Sequence, residues 1–173
     1  MQRQPTLLSS CARAATAAEA RFRISPPEFA RRSSRVIALD ERAAELARAL
    51  ARRPWRGGRF LEFGELTPAA GELADAVLAD AVLLGADGTP TLLSAELDGA
   101  DIAVMLATPG ARAEAASAVG DACAARWITS VGLVVGAPGE AQDVVAALRP
   151  NAMVLVSLRS SQDVAEILSA LRI

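Results

Sequence analysis

The chain has 173 residues, enough for one domain with a buried core, and its 52% hydrophobic and 22% charged residues are the composition of a globular protein. It contains no His and no Lys, which removes the commonest general base and metal ligand, Schiff-base catalysis and a phosphate-loop lysine. A net charge of -2 hides a polarity: residues 1–59 carry 13 Arg against 5 acidic residues, and residues 60–173 carry 5 Arg against 15.

All 18 cationic side chains are Arg and the apolar share is rich in Ala, a pattern that reads as GC-rich bacterial codon usage. The basic first third lacks the interleaved aromatics of a single-strand binder, and no groove-reading motif follows it. Its arginines are therefore read as the solvated face of a helix and a tail, or as partners for acidic residues of this chain or another protein. Cys11 and Cys123 show no metal spacing and no disulfide framework; Cys123 reads as a small buried residue, in keeping with a reducing cytoplasm. No run reaches the 18 apolar residues of a membrane span, so the reading is of a soluble protein.

Residues 1–35 read as a flexible arm rich in Arg, Ser and Ala, with a single α/β domain over 36–173. "LDERAAELARALARR" (39–53) is the first helix, with Asp40 near its start and Leu39, Ala43, Leu46 and Leu50 on one face. "RFLEF" (59–63) alternates as a strand does. In "TPAAGELADAVLADAVLLGA", Thr67-Pro68 suits a helix start and the final apolar run suits a buried strand. "TPTLLSAEL" is expected to be a short helix capped by Thr89.

From there the pattern is regular. Apolar runs at 101–107, 128–136 and 152–158 alternate with helical stretches at 110–126, 139–149 and 161–172. Strands apolar on both faces need helices on both sides, so the expected fold is a three-layer αβα sandwich with a mostly parallel, Rossmann-like sheet.

In such a sheet a ligand binds beyond the carboxyl ends of the strands, against helix N-termini. The candidate binding residues are Thr108, Gly110 and Arg112 in "ATPGAR", and Arg159, Ser160 and Ser161 in "LRSSQ". Gly85 and Gly88 of "GADGTP" would join them if residues 81–86 form a strand. Thr108 and Ser160 or Ser161 equally suit helix caps, and Pro109 removes an N–H that a phosphate cradle would use. Neither GxGxxG nor GxxxxGK[ST] occurs. Asp87, Asp98 and Asp101 read as turn residues rather than metal ligands.

The succession "GADGTP", "DGADIAVMLA", an Ala-rich helix, "WITSVGLVVGAP", "LRP" and "NAMVLVSLRSSQDV" resembles the nucleotide-binding domain of the FtsZ/tubulin family over about residues 84–168. The resemblance would set Gly85, Ala86, Gly88 and Pro90 at the loop beside the terminal phosphate, residues 108–113 at the phosphate loop, and Arg159 near the base. The family's glycine-rich phosphate loop is here "TPGARAE", with side chains where backbone must approach phosphate. The resemblance thus implies a degenerate relative that no longer hydrolyses GTP. The function read from the sequence is a non-catalytic accessory or regulatory module working through a protein partner, with a second copy of the chain as one candidate. It needs no cofactor. The alternative is a small nucleotide- or phosphometabolite-binding domain, with a purine nucleotide as one ligand class.

Overall fold

The apolar run Val36-Ile37-Ala38 is completely buried and lies at the centre of a seven-stranded sheet. The structure, a computed structural model, describes residues 33–67, 80–137 and 139–173. All of these belong to one compact unit, Arg31–Ile173. Residues 1–32 of the arm expected over 1–35, and the Pro68 side of the Thr67-Pro68 helix start, lie outside the described residues.

In chain order the elements are β1 (Ser34–Ala38), α1 (Glu41–Ala51), β2 (Gly58–Thr67), β3 (Asp80–Gly85), β4 (Pro90–Leu92), α2 (Leu93–Leu97), β5 (Ile102–Ala107), α3 (Ala113–Ala124), β6 (Thr129–Val135), α4 (Gln142–Leu148), β7 (Val154–Leu158) and α5 (Ser161–Ala170). The strand order is β4-β3-β2-β1-β5-β6-β7. β1 pairs in parallel with β2 and β5, β5 with β6, and β6 with β7. β3 is antiparallel to both β2 and β4. The chain is therefore an α/β protein with a mostly parallel sheet, as its alternating pattern implied.

β5 shows why apolar strands make this architecture. All six of its residues are buried, and successive side chains point to opposite faces. Ile102, Val104 and Leu106 join one core with residues of α1 and α5. Ala103, Met105 and Ala107 join a second core with residues of α2, α3 and α4. Each fully buried Leu, Ile or Met contributes about 1.5–3 kcal/mol. The alanines Ala43, Ala44 and Ala47 of α1 and Ala115 and Ala116 of α3 are buried against the sheet, so small side chains bring backbone close to backbone.

Three expectations are corrected. No strand was foreseen before the first helix, yet β1 begins at Ser34, inside the stretch assigned to the arm. Five residues with one short apolar run, Val36-Ile37-Ala38, carry too weak a pattern; burial between two neighbours makes them a strand. Residues 89–97 do not form a helix from Thr89. Gly88 at φ +79° reverses the chain, the Asp87 carboxylate accepts from Thr89 N–H at 3.1 Å, and residues 90–92 pair with β3 as an edge strand. Pro90 is tolerated there because an edge strand can spare an N–H. Finally, β3 runs against its neighbours. Gly85 sits opposite Leu61 near the start of β2, so the "GADGTP" turn lies at the amino ends of the parallel strands and not beside the loops after β5 and β7.

Candidate functional site

The chain moves from β1 to β2 on one side of the sheet and returns to β5 on the other, so the strand order reverses at β1 and β5. A ligand of an open α/β sheet would enter the crevice at the carboxyl ends of these two strands. Asp40 follows β1 there, and Thr108 follows β5.

Asp40 is the N-cap of α1, with an extended backbone (φ -149°, ψ 168°) and its Oδ1 accepting from Ala43 N–H at 3.0 Å. The same carboxylate accepts from Thr108 twice. Thr108 N–H donates to Oδ2 at 2.7 Å and the Thr108 hydroxyl donates to Oδ1 at 2.7 Å. Thr108 is buried at 7% exposure. A fixed negative charge thus occupies the helix N-terminus and the amide that an incoming anion would need. Thr108 does not cap the next helix, whose N-cap is Arg112 without a side-chain hydrogen bond.

The remaining candidates are scattered. Gly110 is exposed in the turn closed by Ala111 N–H donating to Thr108 O at 3.0 Å, and nothing surrounds the place a side chain would take. Arg112 reaches across to β2, donating to Gly64 O at 2.9 Å with its guanidinium 5.9 Å from the Phe63 ring centre. Gly85 and Gly88 form the hairpin turn at the opposite end of the sheet, where Gly85 N–H donates to Thr89 O at 2.9 Å. Ser160 is the N-cap of α5, its hydroxyl accepting from Gln162 N–H at 3.1 Å, and Ser161 is the exposed first residue of that helix. Arg159 is exposed. The structure brings Thr108 to Asp40, and Arg159, Ser160 and Ser161 are neighbours through the chain alone; it does not assemble the set into one pocket.

A cleft of about 660 Å³ does lie near Arg159. Gln142, Val145 and Ala146 of α4 with its C-cap Arg149 form one wall, and Ser157 and Arg159 of β7 and its end form the other. Gly136 and Leu158 also line it, so it opens at the carboxyl ends of β6 and β7, and neither Asp40 nor Thr108 is part of its lining.

At the amino ends of the strands is a cluster that sequence reading did not single out. Glu96, 4% exposed, receives Arg35 Nε at 3.1 Å on Oε2 and an Arg59 guanidinium nitrogen at 3.1 Å on Oε1. This bridge, with Arg48–Glu62 at 2.9 Å, ties the basic third of the chain to its acidic remainder, one of the two uses expected for those arginines. Asp87 accepts from Thr89 N–H within the hairpin turn, whereas Asp101 accepts from Ser33 N–H at 2.9 Å, 68 residues away, and so ties the start of β5 to the start of β1. Among the described residues no group of three or more His, Cys, Asp or Glu could hold a metal. Burial pushes the Cys123 thiol up to about 11, against a weak opposing pull from Arg126, so it stays protonated near neutral pH. No helix among the described residues is long and apolar enough to cross a membrane. Compared with protein-family models, curated proteins and solved structures, the chain has no significant match in any of the three.

Proposed function

We propose that this protein is a non-catalytic, cytoplasmic accessory or regulatory module that acts by protein–protein contact, built as a Rossmann-like three-layer αβα sandwich. The observation that carries the reading is the Asp40 carboxylate in the β1–β5 crevice, held by Ala43 N–H, Thr108 N–H and the Thr108 hydroxyl. A phosphate brought there would displace these bonds and meet a like charge, in the place where this class of sheet otherwise recruits anions. The want of His and Lys and the side chains of "TPGARAE" point the same way. A kinship with the FtsZ/tubulin family forms part of this proposal only in its degenerate form, with shared strand and helix succession and lost phosphate chemistry.

One observation favours a second reading, a small nucleotide- or phosphometabolite-binding domain. The α4–β7 cleft has the volume of a ligand pocket and carries Arg149 and Arg159. Thermal melting of the full chain with millimolar GTP, ATP, NAD and inorganic phosphate separates the two. Our reading expects an unchanged midpoint. A ligand present at 100 times its Kd would add about 2.7 kcal/mol and raise the midpoint by about 5–10 °C, and such a rise would overturn it.

A further inference from the structure

Among the described residues the sheet has two edges, and they are built differently. β4, at one margin, is three residues long and begins with Pro90, both devices that discourage pairing. β7, at the other margin, is the five-residue strand "VLVSL", without proline or charge. Met153, just before it, is 76% exposed, and Val154 is 49% exposed. An edge of this kind is a template for another strand.

The outward hydrogen-bonding groups can be assigned. Gly136 N–H donates to Leu158 O at 3.0 Å, so the backbone of Leu158 faces β6. By alternation Val154 and Val156 face β6 as well, whereas Leu155 and Ser157 direct their N–H and C=O groups away from the sheet.

We propose that β7 pairs antiparallel with β7 of a second copy of this chain about a two-fold axis at Val156, doubling the seven-stranded sheet. The proposal names the protein partner of the reading above and rests on it. Symmetry then sets Leu155 opposite Ser157 of the second copy as a hydrogen-bonded pair, Val154 opposite Leu158, and Val156 opposite itself. No like charges face one another within the strands. α4 packs against β6 and β7. Strands lie about 4.8 Å apart, so the two α4 helices meet about 10 Å apart, a normal helix-packing distance.

The facing flanks are small and apolar at Val145 and Ala146, the residues that line the cleft beside β7. The two-fold axis runs the two helices in opposite directions, so Arg149, just past the last turn of each α4, comes toward the Gln142 end of the other copy and not toward its own like charge. An unrelated extended segment on the same edge would gain the backbone bonds without this reciprocity.

The test is sedimentation equilibrium of the full chain over a wide concentration range, without nucleotide. The expected species has twice the 17.9 kDa chain mass. Ser157→Pro removes an outward N–H while leaving the ladder to β6 intact, and Val154→Lys adds a charge to the exposed edge. Each is expected to give a monomer with the parent's circular dichroism, and Val154→Lys decides the matter should Ser157→Pro fail to fold. In a Cys11→Ser background, Val156→Cys is expected to link two copies on a non-reducing gel, because non-hydrogen-bonded antiparallel pairs fit a disulfide. A wild-type chain that stays monomeric throughout overturns the proposal. So does a dimer that survives both edge variants and yields no cross-link. Neither outcome bears on the nucleotide melting experiment, and a midpoint rise in that experiment would leave an edge-dependent dimer standing.

Discussion

Asp40 and Thr108 stand 68 residues apart in the chain and share two hydrogen bonds of 2.7 Å, one from the Thr108 amide and one from its hydroxyl. The pair joins the end of β1 to the end of β5 where the strand order reverses, and it caps α1 in the same stroke. Thr108→Val keeps the amide bond and loses the hydroxyl, a cost of about 1–3 kcal/mol. Asp40→Ala loses the cap and both Thr108 bonds, a cost of about 2–4 kcal/mol. Urea unfolding of the two variants and their double mutant should show a coupling of about 0.5–3 kcal/mol. Strict additivity would mean that the two side chains act independently.

Glu96 bridges Arg35 and Arg59 with side-chain exposures of 5%, 14% and 55% in that order. Removing the carboxylate strands the Arg35 charge in a nearly dry site, so Glu96→Ala is expected to cost about 3–5 kcal/mol. Arg59→Ala leaves the inner pair intact and should cost under about 1 kcal/mol, since the outer arm is solvated. Chemical denaturation should rank the losses Glu96, then Arg35, then Arg59. A reversed order for the two arginines would contradict the burial argument.

Asp80 ties the start of β3 to α2. Its carboxylate accepts from Ser94 Oγ at 2.5 Å, Ser94 N–H at 3.1 Å and Ala81 N–H at 2.9 Å. Burial pushes its pKa up, but these bonds outweigh burial and hold it below the ordinary carboxylate value. A folded-state pKa lowered in this way means stability present above the unfolded value and lost as pH falls through the folded one. Ser94→Ala removes the hydroxyl bond, so its acid-side loss of stability should be shallower than the parent's. Melting midpoints measured from neutral to acid pH would show this. Equal slopes would remove Ser94 from the account.

Gly120 lies in the middle of α3, where alanine is ordinarily better by about 1 kcal/mol. Here an added Cβ would stand 2.6 Å from Asn151 Cβ and 3.0 Å from Asn151 Cα, on a loop held by Asn151 Nδ2 donating to Ala147 O at 2.9 Å. The clash is expected to win, so Gly120→Ala should destabilise by about 1–3 kcal/mol. Gly110→Ala, with open space around it, should be close to neutral. Thermal melting of the two side by side checks the contrast.

The alternation of strand and helix from residue 101 onward was legible in the sequence because buried parallel strands must be apolar throughout and helices must be periodic. The elements at 102–107, 113–124, 129–135 and 154–158 follow that pattern. So does the cap at Ser160, a local matter of one hydroxyl and an N–H two residues on. What depends on partners distant in the chain was not legible. β1 is short and becomes a strand only because β2 and β5 flank it. β3 shows the same apolar run in either direction, so its antiparallel course, which carries Gly85 and Gly88 to the far end of the sheet, was decided by pairing.

Asp40 is the clearest case. Its side chain caps a helix on local evidence alone, and sequence could say so. That the same carboxylate would meet Thr108 follows from a crossover that lays β5 beside β1, a long-range contact that no local pattern encodes. Local propensity and periodicity determined which residues form strands and helices. Tertiary packing decided which strand ends meet, and with that whether the crevice receives a ligand's charge or is filled by the chain's own.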